Sequence, residues 1–354
     1  MRNTSPFQTA LLFLLLLSFS ANSQNKRNET DEIPINELYV EIDQHVRSCP
    51  KEIKSDVDKL IPYLEEVSAT DIEKARAIYV WLADNISYDA KSINKNKTGD
   101  NSAKGVLKSK KAMCGGYASL YEYLGQNMGL EIHKVGGYCK SDLTEDSWDF
   151  ADEDPDHAWN VIKINGEWRV FDATWGAGNG EDSRGKLEFT KSYTDNWFNL
   201  SPYEAIFTHF PEDTALILTT PKLTLEKFEN LQGIPVYAFT TKLLNAEQTY
   251  LKAVKKSSLK FPIVYPLDPN EFQVLDAPKE FRLRKRKPHR FEFFVTGITD
   301  LFLYKNDEKF KEFEFNDDDN TFLLEFMSKE DAQIEIVMKT TDGQLFTILE
   351  YEVY

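Results

Sequence analysis

The feature that most constrains the fold is a hairpin signal in the middle of the chain, "HAWNVIKINGEWRVFDATW", at His157–Trp175. Two runs of alternating apolar residues flank Asn165 and Gly166, a pair that strongly favours a two-residue β-hairpin turn. With such a turn, Ile164 faces Glu167 on the neighbouring strand, and every other pair follows by counting outward. The hairpin therefore predicts both the strand pairing and the face on which each side chain lies.

Counting outward brings two groups with acid–base chemistry together. Trp159 faces Asp172, and residues two apart on a strand share a face, so His157 and Asp172 are diagonal neighbours with Cα atoms about 7–8 Å apart. A carboxylate behind a histidine fixes its tautomer and raises its basicity. The pattern predicts a His–Asp pair, which serves either as a base or as a structural hydrogen bond. A register slip of one residue would separate the two side chains.

A cysteine opens the stretch "KKAMCGGYASLYEYLGQNMGL", at Lys110–Leu130. Cys114 precedes an amphipathic helix, where backbone N–H groups and the helix dipole stabilise a thiolate. Gly115 and Gly116 carry no side chains and leave room for a substrate backbone, and Trp159 can wall a cleft beside the histidine. The alternatives are a small buried cysteine and a core tryptophan. The predicted buried stripe of the helix consists of Tyr117, Leu120, Tyr121, Leu124 and Met128.

The three cysteines allow at most one disulfide within the chain and leave one thiol over. If a bridge forms, Cys49–Cys139 is favoured, because it leaves Cys114 free. A bridge between Cys114 and Cys139 is the alternative, and it would mask a nucleophile.

The beginning of the chain has the pattern of a secretory signal peptide. Arg2 is followed by an apolar run at Leu11–Phe19, and small residues at Ala21 and Ser23 indicate cleavage after Ser23. We expect residues 1–23 to direct export to the periplasm or the extracellular space and to be removed, and residues 24–36 to form a flexible lead-in. A membrane anchor is the alternative, although the apolar run is short for a bilayer. We expect no integral membrane segment after signal removal.

The charge excludes some partners. A formal charge of −16 argues against binding nucleic acid or an anionic membrane. The basic run "RLRKRKPHR" at Arg282–Arg290 is the local exception, and it predicts a solvated edge strand or loop, or alternatively a docking patch for an acidic polymer. The five histidines lack metal-ligand spacing, so we expect neither a metal nor another cofactor.

The pattern changes twice along the chain. Helical periodicity dominates up to about Leu130, and strand patterns follow. From about Ile234, short β-branched and aromatic runs recur at roughly ten-residue intervals, which indicates an all-β sandwich. We therefore predict an α+β fold with a first domain at residues 37–232 and an immunoglobulin-like β-sandwich at residues 233–354.

Several segments resemble the transglutaminase-like superfamily, and most of all its kyphoscoliosis-peptidase-like branch. They are "ARAIYVWLADNISYD", "KKAMCGGYASLYEYLGQNMGLEIHKVGGY", "DHAWNVIKINGEWRVFDATWGAG" and "SPYEAIFTHFPEDTALILTTPKLTLEKFENL". They occur in the family's order and cover Asp71–Leu231. The resemblance implies a papain-like thiol fold, in which a helix bearing the nucleophile packs on an antiparallel sheet. By position it implies that Cys114 is the nucleophile, His157 the base and Asp172 the orienting carboxylate, with an extension after Gly185.

Two functions from different classes follow. The first is an exported thiol enzyme that performs acyl transfer on peptide or protein amides, as a peptidase or amidase with water or as a transglutaminase with a lysine amine. The second is a non-catalytic module that binds peptides or proteins in the same cleft. In either case the C-terminal sandwich can dock to a surface or matrix partner.

Overall fold

The structure is a computed structural model that describes residues 38–141, 143, 148–150, 153–256 and 258–354. The predicted signal peptide and the lead-in at residues 24–36 lie outside this part of the chain. Within it, no helix is long and apolar enough to cross a membrane.

Helices dominate the first hundred described residues. The longest of them begins with a capping box, in which the Glu73 carboxylate accepts a hydrogen bond from the N–H of Thr70 at 2.8 Å. Its middle is buried on all sides, as expected for a helix enclosed by other elements. The helices of this region are α1 (Val40–Arg47), α2 (Val57–Glu65), α3 (Asp71–Asn85), α4 (Ala90–Ile93), α5 (Ala103–Ser109) and α6 (Cys114–Asn127).

A four-stranded antiparallel sheet, here called the central sheet, lies against these helices. Ile164 pairs with Glu167, and Asn165 and Gly166 take positive φ angles of 52° and 86°, as a two-residue hairpin of the predicted register requires. The hairpin prediction is confirmed. In spatial order the strands are β5 (Glu167–Phe171), β4 (His157–Ile164), β3 (Ile132–Cys139) and β8 (His209–Pro211).

Helix α6 packs on β3 and β4 and begins at Cys114. All five members of its predicted stripe are buried, with exposures of 2% or less. Two short parallel strands, β1 (Ser87–Tyr88) and β2 (Lys111–Ala112), lead into the start of the helix. They lead the first turn of α6 to the end of the central sheet at which β4 begins.

The segment after β5 returns to the central sheet. Strand β8 pairs with β3, so that Cys139 faces His209 and Tyr138 faces Phe210. This segment, residues 187–232, therefore supplies the fourth strand of the central sheet. The elements from here to the sandwich are α7 (Ala173–Ala177), β6 (Gly178–Asp182), β7 (Leu187–Lys191), α8 (Pro202–Ala205), a 3-10 turn at Thr214–Leu216, α9 (Leu225–Glu229), α10 (Tyr237–Thr240) and α11 (Ala246–Lys255).

The C-terminal region consists of two sheets, which confirms the predicted sandwich. The first has the order β10-β12-β16-β15, and the second has the order β11-β18-β17-β13-β14, with β9 paired to β18. Alternate residues of β12 such as Phe291 and Phe293 are fully buried between the sheets. The strands are β9 (Ile263–Val264), β10 (Phe272–Asp276), β11 (Arg282–Leu283), β12 (His289–Val295), β13 (Ile298–Lys305), β14 (Glu308–Glu312), β15 (Glu314–Asn316), β16 (Thr321–Phe326), β17 (Ala332–Thr340) and β18 (Leu345–Val353).

The basic run at Arg282–Arg290 lies at the edge of the second sheet, where β11 begins. Arg282 pairs with Glu352 at 3.3 Å, and Lys285 pairs with Asp331 at 2.7 Å. The prediction of an edge strand and loop is confirmed for the first part of the run, whereas its last residues, His289 and Arg290, begin β12, an inner strand of the first sheet.

Candidate active site

Cys114 is the first residue of α6 and is partly exposed. The N-cap residue, Met113, is extended, and its carbonyl oxygen accepts hydrogen bonds from the N–H groups of Gly116 and Tyr117 at 2.9 and 3.1 Å. The N–H groups of a first helical turn have no acceptor inside the helix. The Sγ atom of Cys114 therefore lies at the positive end of a 14-residue helix, which favours a thiolate.

The predicted His–Asp pair is present. His157 is the first residue of β4, and Asp172 directly follows β5, so the hairpin register places them diagonally on one face. The distance from His157 Nε2 to Asp172 Oδ2 is 2.7 Å. His157 is 8% exposed and Asp172 is 1% exposed. A hydrogen bond this short between buried groups indicates a charge-assisted contact.

The Asp172 carboxylate also caps the short helix α7. Its Oδ1 atom accepts hydrogen bonds from the N–H groups of Thr174 at 2.8 Å and Trp175 at 3.1 Å. Burial by itself would raise the pKa of Asp172, but the charge and hydrogen bond of His157, aided by His209, hold that pKa below its usual range. The carboxylate is therefore ionised at neutral pH.

The imidazole of His157 lies between the carboxylate and the thiol. Burial alone would lower the pKa of His157, but the Asp172 carboxylate outweighs burial, and the nearby Cys114 thiol adds to its effect, so the pKa is raised. Because Nε2 is bonded to Asp172, the nitrogen left for Cys114 is Nδ1. The raised pKa favours the imidazolium form of His157 at neutral pH.

A second histidine, not foreseen from the sequence, contacts the same carboxylate. The Nε2 atom of His209 lies 3.2 Å from Asp172 Oδ2, and its Nδ1 atom lies 2.8 Å from Thr208 Oγ1. His209 is 2% exposed. The only sequence signal was its place in the motif "SPYEAIFTHF", within a segment that we noted as resembling the family's extension.

The two histidines and Asp172 offer three metal-type ligand atoms within 4.8 Å of one another, a grouping that sequence spacing did not predict. The two Nε2 atoms are already hydrogen-bonded to Asp172 Oδ2. A zinc site with three protein ligands keeps an open position for water or substrate, whereas these three residues are buried, with exposures of 8% or less. The contacts therefore fit a hydrogen-bonded cluster better than a metal site.

Trp159 lies behind the histidine rather than on the open side of the cleft. Its ring is 5.9 Å from that of His157 and 4.9 Å from that of His209, and the residue is 2% exposed. A side chain so enclosed has no surface to offer a substrate. Trp159 therefore packs against the two imidazoles and excludes water from them, so the expected substrate contact is not what the structure places there.

The two glycines after Cys114 have different surroundings. A Cβ atom on Gly116 would come within 2.7 Å of Ala112 Cβ and 2.9 Å of Asn101 Oδ1, so this glycine allows close packing inside the fold. A Cβ atom on Gly115 would meet only Lys134 Nζ, at 3.7 Å. Room for a substrate therefore exists at Gly115, whereas Gly116 is buried.

Tyr88 is a further neighbour that sequence reasoning missed. Burial raises the pKa of Tyr88, and the nearby thiols of Cys114 and Cys139 and the carboxylate of Asp172 raise it further. The hydroxyl thus lies within electrostatic reach of the nucleophile. The pairing of β1 with β2 explains why Tyr88 is near the nucleophile. It sets Tyr88 opposite Ala112, which precedes Cys114 by two residues.

The prediction that any bridge would join Cys49 and Cys139 was wrong. All three cysteines are free thiols in the structure. Cys49 packs in the helical core near Trp81, whereas Cys139 ends β3, where its N–H donates to Asp156 Oδ1 at 3.0 Å. The two residues lie in different layers of the fold, and this was not visible from their spacing. The alternative bridge between Cys114 and Cys139 is not formed either.

Comparisons with known proteins agree with this geometry. Residues 60–173 match the family model described as the transglutaminase-like superfamily. The kyphoscoliosis peptidase of Homo sapiens is 33% identical over 177 residues, which are 50% of this chain and 26% of the relative. Hillarin of Drosophila melanogaster is 27% identical over 220 residues, 60% of this chain and 27% of the relative. The chain thus spans roughly a quarter of the length of these relatives.

Solved structures described as transglutaminases have low TM-scores against this chain. One described as a TGase has a TM-score of 0.28 at 21% identity, covering 43% of this chain and 39% of its own. The red sea bream transglutaminase has a TM-score of 0.28 at 10% identity, covering 87% of this chain and 57% of its own. On the family model and the sequence relatives, residues 60–173 of this chain form a domain of the transglutaminase-like superfamily, in its kyphoscoliosis-peptidase-like branch.

Proposed function

We propose that this protein is a thiol enzyme that transfers acyl groups from peptide or protein amides through Cys114, His157 and Asp172. The observation that carries the proposal is the imidazole of His157, which is hydrogen-bonded to a buried carboxylate at 2.7 Å while the Cys114 Sγ atom lies 4.0 Å from the carbonyl oxygen of Asp156, the residue before His157. A structural His–Asp hydrogen bond has no need of a partly exposed thiol on the opposite side of the ring.

The first half of the reaction uses the ion pair. The Cys114 thiolate attacks the amide carbonyl carbon, and the C–N bond breaks as His157 Nδ1 gives its proton to the departing amine. The product is a thioester on Cys114. Asp172 keeps Nε2 protonated throughout, so the imidazole presents the correct nitrogen to the substrate.

The tetrahedral intermediate needs donors for its oxyanion. The N–H of Cys114, at the start of α6, is one. We assign the Tyr88 hydroxyl as the second, because the pairing of β1 with β2 sets Tyr88 opposite Ala112, two residues before Cys114. Both groups belong to the elements β1, β2 and α6, which pack together at the same end of the central sheet.

The second half of the reaction depends on the acceptor. His157, now neutral, removes a proton from water or from a lysine amine, which then attacks the thioester and releases Cys114. The name of the kyphoscoliosis peptidase relative favours water, and therefore a peptidase. We also propose export through the signal-like residues 1–23.

Alkylation of the thiol tests the ion pair without a substrate. A free cysteine with a pKa of about 8.5 is only about 0.3% thiolate at pH 6, so a thiolate–imidazolium pair should react with iodoacetamide up to about 100-fold faster. We expect labelling of Cys114 at pH 6 to fall about 100-fold in His157→Gln. His45→Gln, a change of a histidine on α1, is the matched control and should label at the wild-type rate.

Cys49 and Cys139 are buried, so Cys114→Ala should show almost no rapid labelling. Slow labelling of the wild type that ignores His157→Gln would refute the thiol enzyme and favour the non-catalytic binding module. Mass spectrometry after incubation with peptide libraries, with and without a primary amine, then distinguishes the acceptors. Cleavage alone indicates a peptidase, and amine incorporation indicates a transglutaminase.

A further inference from the structure

The mechanism above leaves one buried histidine without a role. His209 Nε2 lies 3.2 Å from Asp172 Oδ2, the same oxygen that His157 Nε2 approaches at 2.7 Å. His209 is 37 residues away from Asp172 in sequence and comes from a different strand, β8. Two imidazoles therefore meet at one carboxylate oxygen.

The protonation of His209 follows from its partners. An ionised carboxylate only accepts hydrogen bonds, so Nε2 of His209 carries the proton and Nδ1 is free to accept. The Thr208 hydroxyl lies 2.8 Å from Nδ1 and 3.2 Å from the Ala205 carbonyl oxygen, and the nearer acceptor is the imidazole. The charged groups that face His209 are Asp172, His157 and Asp156, and its pKa is lowered, first by burial. A neutral, N–H-donating His209 beside a charged His157 is the arrangement that avoids two buried cations in contact.

The fold holds His209 tightly in this position. Strand β8 pairs with β3 in a register that sets His209 opposite Cys139. Gly137 on β3 leaves no room for a side chain against the Phe210 carbonyl, so the two backbones lie in close contact. The rings of Trp175 and Trp197 lie 4.6 and 5.5 Å from the imidazole and shield it from water.

We propose that His209 is a positioning residue for the catalytic triad, an inference that rests on the proposed function. Its Nε2–H fixes the Oδ2 atom of Asp172 toward His157 and keeps the carboxylate ionised. The need is greatest when His157 has given up its proton, because Asp172 is then a buried charge beside neutral groups only. His209 lies beyond residues 60–173, so the segment after the family-matched domain completes the site.

Two substitutions separate hydrogen bonding from packing. His209→Gln retains an N–H donor near the position of Nε2, whereas His209→Phe retains an aromatic ring in the tryptophan cage and removes the donor. A packing role predicts that Phe is tolerated better than Gln. A positioning role predicts the reverse order, because only Gln can donate to Asp172.

The measurement is the rate of Cys114 alkylation by iodoacetamide at pH 6, in the full chain and in the presence of a chelator, with thermal melting as a check of folding. We expect about a tenfold decrease in His209→Phe, the lower end of what one hydrogen bond to a charged group contributes. In His209→Gln we expect less than about a threefold decrease. A wild-type rate in His209→Phe, or a larger loss in Gln than in Phe, overturns the proposal.

A measurement on the unaltered protein covers the case in which neither variant folds. Nitrogen-15 NMR of the imidazoles should show His209 neutral with its proton on Nε2 from pH 5 to pH 8. A charged His209 in this range, or a proton on Nδ1, overturns the proposal. One equivalent of zinc bound at the wild-type site and lost in His209→Gln also overturns it, since the cluster would then be a metal site.

These readouts do not depend on turnover. Suppose that the wild type shows neither cleavage nor amine transfer, and that Cys114 is still alkylated faster in His209→Gln than in His209→Phe. The positioning role then stands and the proposed function fails. If turnover is found and the order is reversed, the function stands and the role of His209 is packing.

Discussion

Replacing Asp172 by asparagine is the sharpest test of the site, because the carboxylate receives four donors. Oδ1 accepts the N–H groups of Thr174 and Trp175, and Oδ2 accepts the Nε2–H groups of His157 and His209. An amide has one oxygen and one NH2 group. In Asp172→Asn one pair of donors must therefore face another donor, whichever way the amide is turned.

The capping contacts decide the orientation. Two backbone N–H groups at 2.8 and 3.1 Å cannot rotate away, whereas the imidazoles can change tautomer. The amide oxygen should therefore stay at the start of α7, with the NH2 group turned toward His157. That histidine must then move its proton from Nε2 to Nδ1, the nitrogen that faces Cys114. The imidazole can no longer accept the thiol proton, and its charged form loses its counter-ion.

We expect kcat/KM on a peptide amide to fall by about 10³- to 10⁴-fold, with KM little changed, as for a wrong-tautomer substitution in a serine protease triad. Alkylation of Cys114 at pH 6 should fall in parallel. Asp56→Asn is the matched control, because Asp56 caps α2 by accepting the N–H of Asp58 and asparagine caps equally well. An Asp172→Asn variant within about tenfold of the wild type would refute the tautomer argument.

The pH dependence of stability gives an independent check. The folded pKa of Asp172 is lowered, so its contribution to the free energy of unfolding is complete above its unfolded pKa of about 3.9 and is lost as the pH falls. The folded pKa of His157 is raised, so its contribution is complete below about pH 6.5 and is lost as the pH rises. Urea titrations should therefore show the largest difference between wild type and Asp172→Asn between about pH 5 and pH 6.5, and a constant difference would contradict the ion pair.

Three further predictions test separate parts of the argument. Gly116→Ala should lower the free energy of unfolding by about 1–3 kcal/mol through overpacking, whereas Gly115→Ala, whose new methyl group meets only a lysine tip at 3.7 Å, should change stability little; urea titration compares them. Arg76→Met should cost about 3 kcal/mol in the same assay, because it removes the buried partner of Asp43 at 2.7 Å and of Asp195 at 2.6 Å and leaves Asp43 only the longer contact with Arg47 at 3.7 Å. Tyr88→Phe should lower kcat by about 100-fold, as expected for a lost oxyanion donor, while alkylation of the thiol, which forms no oxyanion, stays at the wild-type rate.

The parts of the site that could be predicted from the sequence depend on local geometry. Asn165 and Gly166 determine a turn of two residues, and the two-residue period of a strand then carries the register outward to His157 and Asp172. In the same way, the helical period carries the stripe of α6 from Tyr117 onward. No long-range information is needed for either prediction. The distance from the turn to the His–Asp pair is only a few residues on each side.

The parts that could not be predicted depend on contacts between distant segments. His209 reaches Asp172 only because β8 returns to the edge of the central sheet beside β3, and no local pattern encodes that pairing. The Cys49–Cys139 bridge is favoured from the sequence because it leaves Cys114 free, yet Cys49 lies in the helical core and Cys139 at a strand end. The burial of Gly116 depends on the side chains of Ala112, Asn101 and Val106, which lie on β2, before α5 and on α5, and the sequence pattern does not locate them.

The Asp172 carboxylate links these local and distant contributions. Its charge is buried at 1% exposure, so every donor that surrounds it offsets part of the desolvation cost. The donors come from three places: the first turn of α7, the start of β4 at His157, and β8 at His209. The hairpin alone supplies only the first two. It follows that the lowered pKa of Asp172 depends on the packing of β8 against β3. Substitutions that loosen this packing should therefore lower the reactivity of Cys114, although the substituted residues do not contact Cys114.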